Sequence, residues 1–387
     1  MIRSHYRALR HIAFGMTALG LSAAASSAER PSVIAPAGTF EGVTEGSANV
    51  FRGISYAEAP TGERRWRPPV PKARASAPVD ASEFGPICNQ PEFPNVPANI
   101  YYEDLPPMSE DCLSLNVWQP ENADHAPVFV WIHGGSLLTG AGRFSLYDGA
   151  ELAKRGVVVV SINYRLGALG FMAHPELSAE SPGNVSGNYG LLDQIEALRW
   201  VERNIAAFGG DPDRVTVGGE SAGAFSVANL LASPATGGLF HRAIAQSGAA
   251  HHVHDPDAGT GIAGKLLAEL GDPDAAELLA LPAVAILEAQ DRVGAAHDPW
   301  STGGIDPFYP VWGGEVLPRP PLDLISEGAG ADVGLLTGTN EDEMALWGIT
   351  SFDDARLHQY AARMRDDPEG LIGIYRRRLG EAPPGWV

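Results

Sequence analysis

The chain is poor in cysteine, in positive charge and in long apolar runs. Its 2 cysteines among 387 residues permit one disulfide at most. Lysine and arginine total 27 against 47 acidic residues, a formal net charge of -20 at pH 7. That excess makes nucleic acid and anionic membrane surfaces poor partners, but it does not repel a neutral or cationic small molecule. The longest apolar run, Ile12 to Ala25, falls short of the roughly 20 residues a spanning helix needs. No later stretch qualifies, so no membrane span is expected.

Arg3, Arg7 and Arg10 precede that run and Ser26-Ser27-Ala28 follows it. Residues 1–28 therefore read as a secretory signal peptide, and the mature protein as secreted or periplasmic. In an oxidising compartment, Cys88 and Cys112 are expected to pair rather than persist as two buried thiols. Closing a proline-rich loop of that size contributes on the order of 3.5 kcal/mol in the chain-entropy picture. No internal repeat or break in composition divides residues 29–387, which read as one domain.

Apolar runs rich in β-branched residues at Val128 to Ile132, Val157 to Ile162 and Val215 to Val217 suit strands covered on both faces. Further strands are expected at Arg242 to Gln246 and Val333 to Thr337. Leu191, Ile195, Leu198, Val201 and Ile205 recur at helical steps and predict a helix from about Leu191 to Ala206. Thr39 to Arg52 reads as an antiparallel meander, and residues 255–306 as helices and loops roofing a pocket. The class is α/β with a mostly parallel central sheet.

Two glycine-rich turns stand out against this frame. Gly219-Glu220-Ser221-Ala222-Gly223 links the third strand to a helical run, Ala222 to Ala232. That is the strand, tight turn and helix of a nucleophile elbow. Trp131-Ile132-His133-Gly134-Gly135-Ser136 follows the first strand, and its glycine amides can approach a substrate oxygen closely.

Other motifs occur in order around these turns: Glu110 to Val117, Asn163 to Gly167, Gly187 to Gln194, Phe208-Gly209-Gly210-Asp211-Pro212 and Ala245-Gln246-Ser247-Gly248. From about Pro31 onward the chain resembles the type B carboxylesterases, a family that includes cholinesterases and para-nitrobenzyl-type esterases. Ser114 departs from the aromatic residue or threonine usual at its place. The resemblance implies an α/β-hydrolase fold, with Ser221 as nucleophile and the amides of Gly134, Gly135 and Ala222 as oxyanion donors. It makes His133 a structural residue of the oxyanion loop and pairs Cys112 with the cysteine just upstream. In Gly338-Thr339-Asn340-Glu341-Asp342-Glu343 the acid would be Glu343, with Glu220 a further carboxylate facing the pocket. The implied chemistry is hydrolysis of a small-molecule carboxylic ester through an acyl-enzyme, without cofactor or metal.

The histidine is the gap. The resemblance places the base well after the acid in a Gly-x-x-His context, yet only His358 follows Glu343. His358 falls in a helix predicted from Ser351 to Arg365 and reads as a surface residue. His251, His252 and His254 precede the acid and read as a solvated loop, with metal binding as the alternative. The chain is thus expected to lack its base, through truncation, frameshift or natural loss, and to be nearly inactive. It would also lack the last strand and helix, leaving Val333 to Thr337 as an exposed apolar edge. A non-catalytic adhesion protein is the alternative, although such members usually replace the serine kept here. A peptidase has less support, since nothing suggests a peptide channel.

Overall fold

The computed structural model describes residues 30–91, 106–179, 184–297, 307–341, 343, 353–364 and 367–379. The signal-peptide reading of 1–28, Asp342 and the expected cap Ser351 lie outside the described residues. Eight strands form the main sheet: β1 (Val43–Glu45), β2 (Ala48–Ser55), β3 (Ser114–Pro120), β4 (Ala126–Ile132), β5 (Val158–Ile162), β6 (Gly210–Glu220), β7 (Arg242–Gln246) and β8 (Gly334–Gly338). Their order is β8-β7-β6-β4-β5-β3-β2-β1. Neighbours from β8 to β5 pair in parallel, and the pairs from β5 to β1 are antiparallel.

Burial follows from the residue pattern. The run Val-Val-Val-Ser-Ile of β5 is buried at every position, as a central strand requires. Helix α1 (Tyr189–Asn204) ends slightly earlier than its periodicity suggests, and a 3-10 turn, Ile205–Phe208, completes the apolar stripe. Leu191, Ile195, Leu198, Val201 and Ile205 are all buried. Each contributes about 1.5–3 kcal/mol relative to exposure. Helix α2 (Ala222–Ala232) is buried throughout.

The expected meander is split between two sheets. Gly38–Glu41 pairs with Ser32–Ala35 in a separate three-stranded sheet, and only β1 and β2 join the large one. Phe40 supplies a reason: its ring packs near Trp200 and Phe208, at centroid distances of 6.4 and 6.1 Å. That contact draws its strand away from β1 and onto α1.

Residues 255–297 form α3 (Pro256–Glu269), α4 (Ala275–Ala280) and α5 (Ala283–Ala295), with Asp274 and Glu277 making a reciprocal capping box on α4. The remainder of the expected roof, 298–306, lies outside the described residues. Two last helices, α6 (Asp354–Met364) and α7 (Pro368–Leu379), share a small core of Leu357, Ala361 and Ile372.

Among the described residues β8 is the sheet's edge, and all five of its residues are exposed. Leu335 is 50 % and Leu336 64 % exposed. Successive side chains of a strand point to opposite faces, so both faces are bare here, as expected of an uncovered apolar edge.

Cys88 and Cys112 are bonded, with Cα atoms 5.0 Å apart across 24 positions of sequence. Replacing Cys112 by Ala is expected to lower stability by about 3 kcal/mol. Urea unfolding with and without reductant checks this: wild type should lose stability when reduced and Cys112→Ala should not.

Candidate active site

Strand β6 delivers the chain to Ser221, whose backbone lies at φ 53° and ψ -119° before α2 begins. A positive φ at a non-glycine residue is a strained conformation, held only where the surroundings enforce it. Here the Ser221 N–H donates to Gln246 O at 2.8 Å, and Ser221 O accepts from Phe225 N at 3.0 Å. Gly223 is compelled by space, because a Cβ there would sit 2.1 Å from Ile132 O. The elbow therefore rests directly on the end of β4. Ser221 itself is partly exposed.

The same strand end carries His133, Gly134 and Gly135. A Cβ at Gly134 would lie 3.3 Å from Ser221 Cβ and 3.0 Å from Glu220 Oε2, which puts the glycine loop against the elbow. Gly135 (φ 105°) accepts the amides of Leu138 and Thr139 at 2.9 Å each, closing the turn. Among the described residues the N–H groups of Gly134, Gly135 and Ala222 donate to no acceptor. Ala222 is buried and opens α2, where first-turn amides lack intrahelical partners.

Glu343 follows β8. Its Oε2 accepts from Ser247 Oγ at 3.0 Å and from Asn340 N at 2.7 Å. Ser247 also has positive φ (52°), and its N–H donates to Gly338 O at 2.8 Å. Parallel pairing of β7 with β8 puts these two strand ends side by side. The motif Ala245 to Gly248 gives no sign of this contact, whose only signal in the sequence is its place at the end of a predicted strand. Burial, and then the nearby Glu343 charge, hold the Glu220 carboxyl above its usual range. The two carboxylates thus flank one region of the site.

None of the described histidine hydrogen bonds or ion pairs involves Ser221 or Glu343. His358 lies on α6 and meets Glu369 at 3.1 Å. The solvated-loop expectation fails for two of the clustered histidines. His254 is buried with Nε2 on Pro307 O at 2.9 Å, and His252 stacks on Phe225 with centroids 3.6 Å apart. Aromatic packing, which no local pattern encodes, draws them inward. Among the described residues no group of three or more His, Cys, Asp or Glu side chains could hold a metal.

Buried polar groups brace this arrangement. Arg165 donates through Nε and Nη2 to the Asp193 carboxylate, both contacts at 2.7 Å. Gln194 Nε2 donates to Ser226 Oγ, which donates to Ala222 O, each at 3.0 Å, tying α1 to the first turn of α2. A small cavity lined by Arg65, Cys88, Glu110, Cys112 and Arg165 touches neither Ser221 nor Glu343.

His133 is 1 % exposed. Burial, only partly offset by a hydrogen bond to Gly134, pushes its imidazole down to about 4. Between that value and the ordinary 6.5, the unfolded chain binds a proton that the folded one does not, so stability falls as pH drops through this window. By pH 5 the loss from His133 is about 2 kcal/mol. Burial holds His252 and His254 low as well and acts in the same direction. Urea midpoints at pH 7 and pH 5 should show this slope in wild type and a shallower one in His133→Asn.

Residues 29–377 match the model of the Carboxylesterase family. The para-nitrobenzyl esterase of Bacillus subtilis (strain 168) is 41% identical over 313 residues, covering 80% of this chain and 62% of that protein. The fumonisin B1 esterase of Sphingopyxis macrogoltabida is also 41% identical, over 312 residues, or 79% of this chain and 55% of that protein. This chain thus spans less than two thirds of the length of either. Among solved structures, a thermophylic PNB esterase aligns at TM-score 0.79 and 38% identity over 89% of this chain and 71% of its own. The Geobacillus stearothermophilus carboxylesterase EST55 at pH 6.2 aligns at 0.76 and 36% over 92% and 72%. The mostly parallel sheet flanked by helices is accordingly the α/β-hydrolase fold, and the chain belongs to the carboxylesterase family.

Proposed function

We propose that the protein is built to hydrolyse small-molecule carboxylic esters through an acyl-enzyme, with Ser221 as nucleophile. One observation carries this reading: Ser221 sits in a strained elbow beside three backbone N–H groups, those of Gly134, Gly135 and Ala222, that have no acceptor among the described residues. In the tetrahedral intermediate these amides would receive the oxyanion, a contribution of about 10²- to 10³-fold in rate per donor. Glu343 would hold and stabilise a histidine base, with Ser247 fixing the carboxylate from its other side. Glu220 would face the pocket as a second carboxylate.

Among the described residues no histidine hydrogen bond or ion pair reaches Ser221 or Glu343, and turnover by this chain is expected to be very slow. Export to a secreted or periplasmic location is part of the same reading, supported by the Cys88–Cys112 disulfide. The acidic balance favours neutral or cationic esters over anionic ones.

The lack of a histidine contact to Glu343 among the described residues favours one competing reading, a non-catalytic binding member of the family, whereas the retained Ser221 favours the hydrolase. Release of para-nitrophenol from para-nitrophenyl acetate separates them. The hydrolase reading expects slow release that disappears in Ser221→Ala; equal release by both proteins contradicts it.

A further inference from the structure

The carbonyl groups behind the two glycine amides are both anchored, and the anchors belong to one stacked pair of side chains. Tyr164 Oη donates to His133 O at 2.8 Å. His133 Nδ1 lies 2.8 Å from Gly134 O, and since a carbonyl only accepts, Nδ1 must carry the proton. The two rings stack with centroids 4.5 Å apart and planes 19° from parallel. Both residues are buried.

A trans peptide holds its C=O and N–H on opposite sides of one plane, and the chain has no cis bond among the described residues. The peptide whose oxygen Tyr164 holds carries the Gly134 N–H. The peptide whose oxygen His133 holds carries the Gly135 N–H. We propose that His133 and Tyr164 are positioning residues that orient the Gly134 and Gly135 amides by gripping their peptides from the far side. Glycines lack side chains to restrain their peptides, so without such a grip either plane could rotate and withdraw its N–H. The unpartnered His133 Nε2 fits this assignment, because the ring's one proton is committed to the carbonyl.

The proposal rests on Ser221 being the nucleophile, and its test keeps the two ideas apart. The second-order rate of Ser221 phosphonylation by a fluorophosphonate, with fluoride as leaving group, is measured by mass spectrometry. Wild type is compared with Tyr164→Phe, His133→Ala and His133→Asn. Tyr164→Phe keeps the ring and its stack, and it is expected to slow labelling about 10-fold, with His133→Ala slower by about 100-fold, within the range of a lost oxyanion donor. His133→Asn, which retains an N–H donor, should recover part of the loss. In the wild-type adduct the Gly135 amide proton should move downfield, and in His133→Ala it should not.

Circular dichroism and urea midpoints identify any variant that fails to fold. Folded Tyr164→Phe and His133→Ala proteins labelled within twofold of wild type would overturn the proposal. If wild-type Ser221 takes no label, the reading of Ser221 fails instead. Imidazole ¹⁵N spectra then decide the anchoring alone, with a protonated Nδ1 supporting it and a bare Nδ1 overturning it.

Discussion

Para-nitrophenyl acetate hydrolysis is expected to rise by about 10⁶-fold when a histidine is placed within hydrogen-bond reach of both Ser221 and Glu343. The size of this effect follows from how such a triad divides its labour. A serine hydroxyl is a weak nucleophile until a base takes its proton, and the carboxylate only orients and stabilises that base. Ser221 and Glu343 are present, and the described contacts of Glu343 run to Ser247 and Asn340 rather than to an imidazole. Imidazole supplied in solution tests the prediction, with Ser221→Ala as background. Free imidazole should supply part of the gain to the chain itself. No gain with imidazole would count against a missing base as the cause of slow turnover.

Gly223→Ala is expected to destabilise the fold by about 3 kcal/mol and to abolish labelling of Ser221. The added Cβ would meet Ile132 O at 2.1 Å and His133 O at 3.1 Å. Both are backbone atoms at the end of β4, so neither can swing aside. The elbow would have to lift away from the glycine loop. Gly264→Ala is the control: Gly264 lies on the exposed face of α3, where a Cβ meets nothing within 4 Å. Replacing glycine by alanine in a helix should stabilise it by up to about 1 kcal/mol. Urea midpoints should move in opposite directions for the two variants. A neutral Gly223→Ala would show that the elbow and β4 do not need this close approach.

The sheet was legible because its information is local. Runs rich in β-branched and aromatic residues mark β4 and β5, and the stripe on α1 repeats at helical steps, so the observed limits differ from the expected ones by a few residues. The bare edge at β8 was expected from the family resemblance rather than from any local pattern. What escaped was set by partners distant in sequence. Ser247 meets Glu343 across 96 positions, through a register between β7 and β8 that neither strand specifies alone. Phe40 leaves the main sheet because of Trp200 and Phe208, and His252 turns inward because of Phe225. Tyr164 reaches the loop after β4 from the end of β5, across 31 positions, so its link to His133 could not be read from either motif.

The proposed function depends on Ser221 being the residue that attacks the electrophile, and that is open to a single measurement. Intact-protein and peptide mass spectrometry after prolonged exposure to a fluorophosphonate should find one adduct, on Ser221, absent from Ser221→Ala. A folded wild-type protein that stays unmodified, or that takes the label elsewhere, would contradict it.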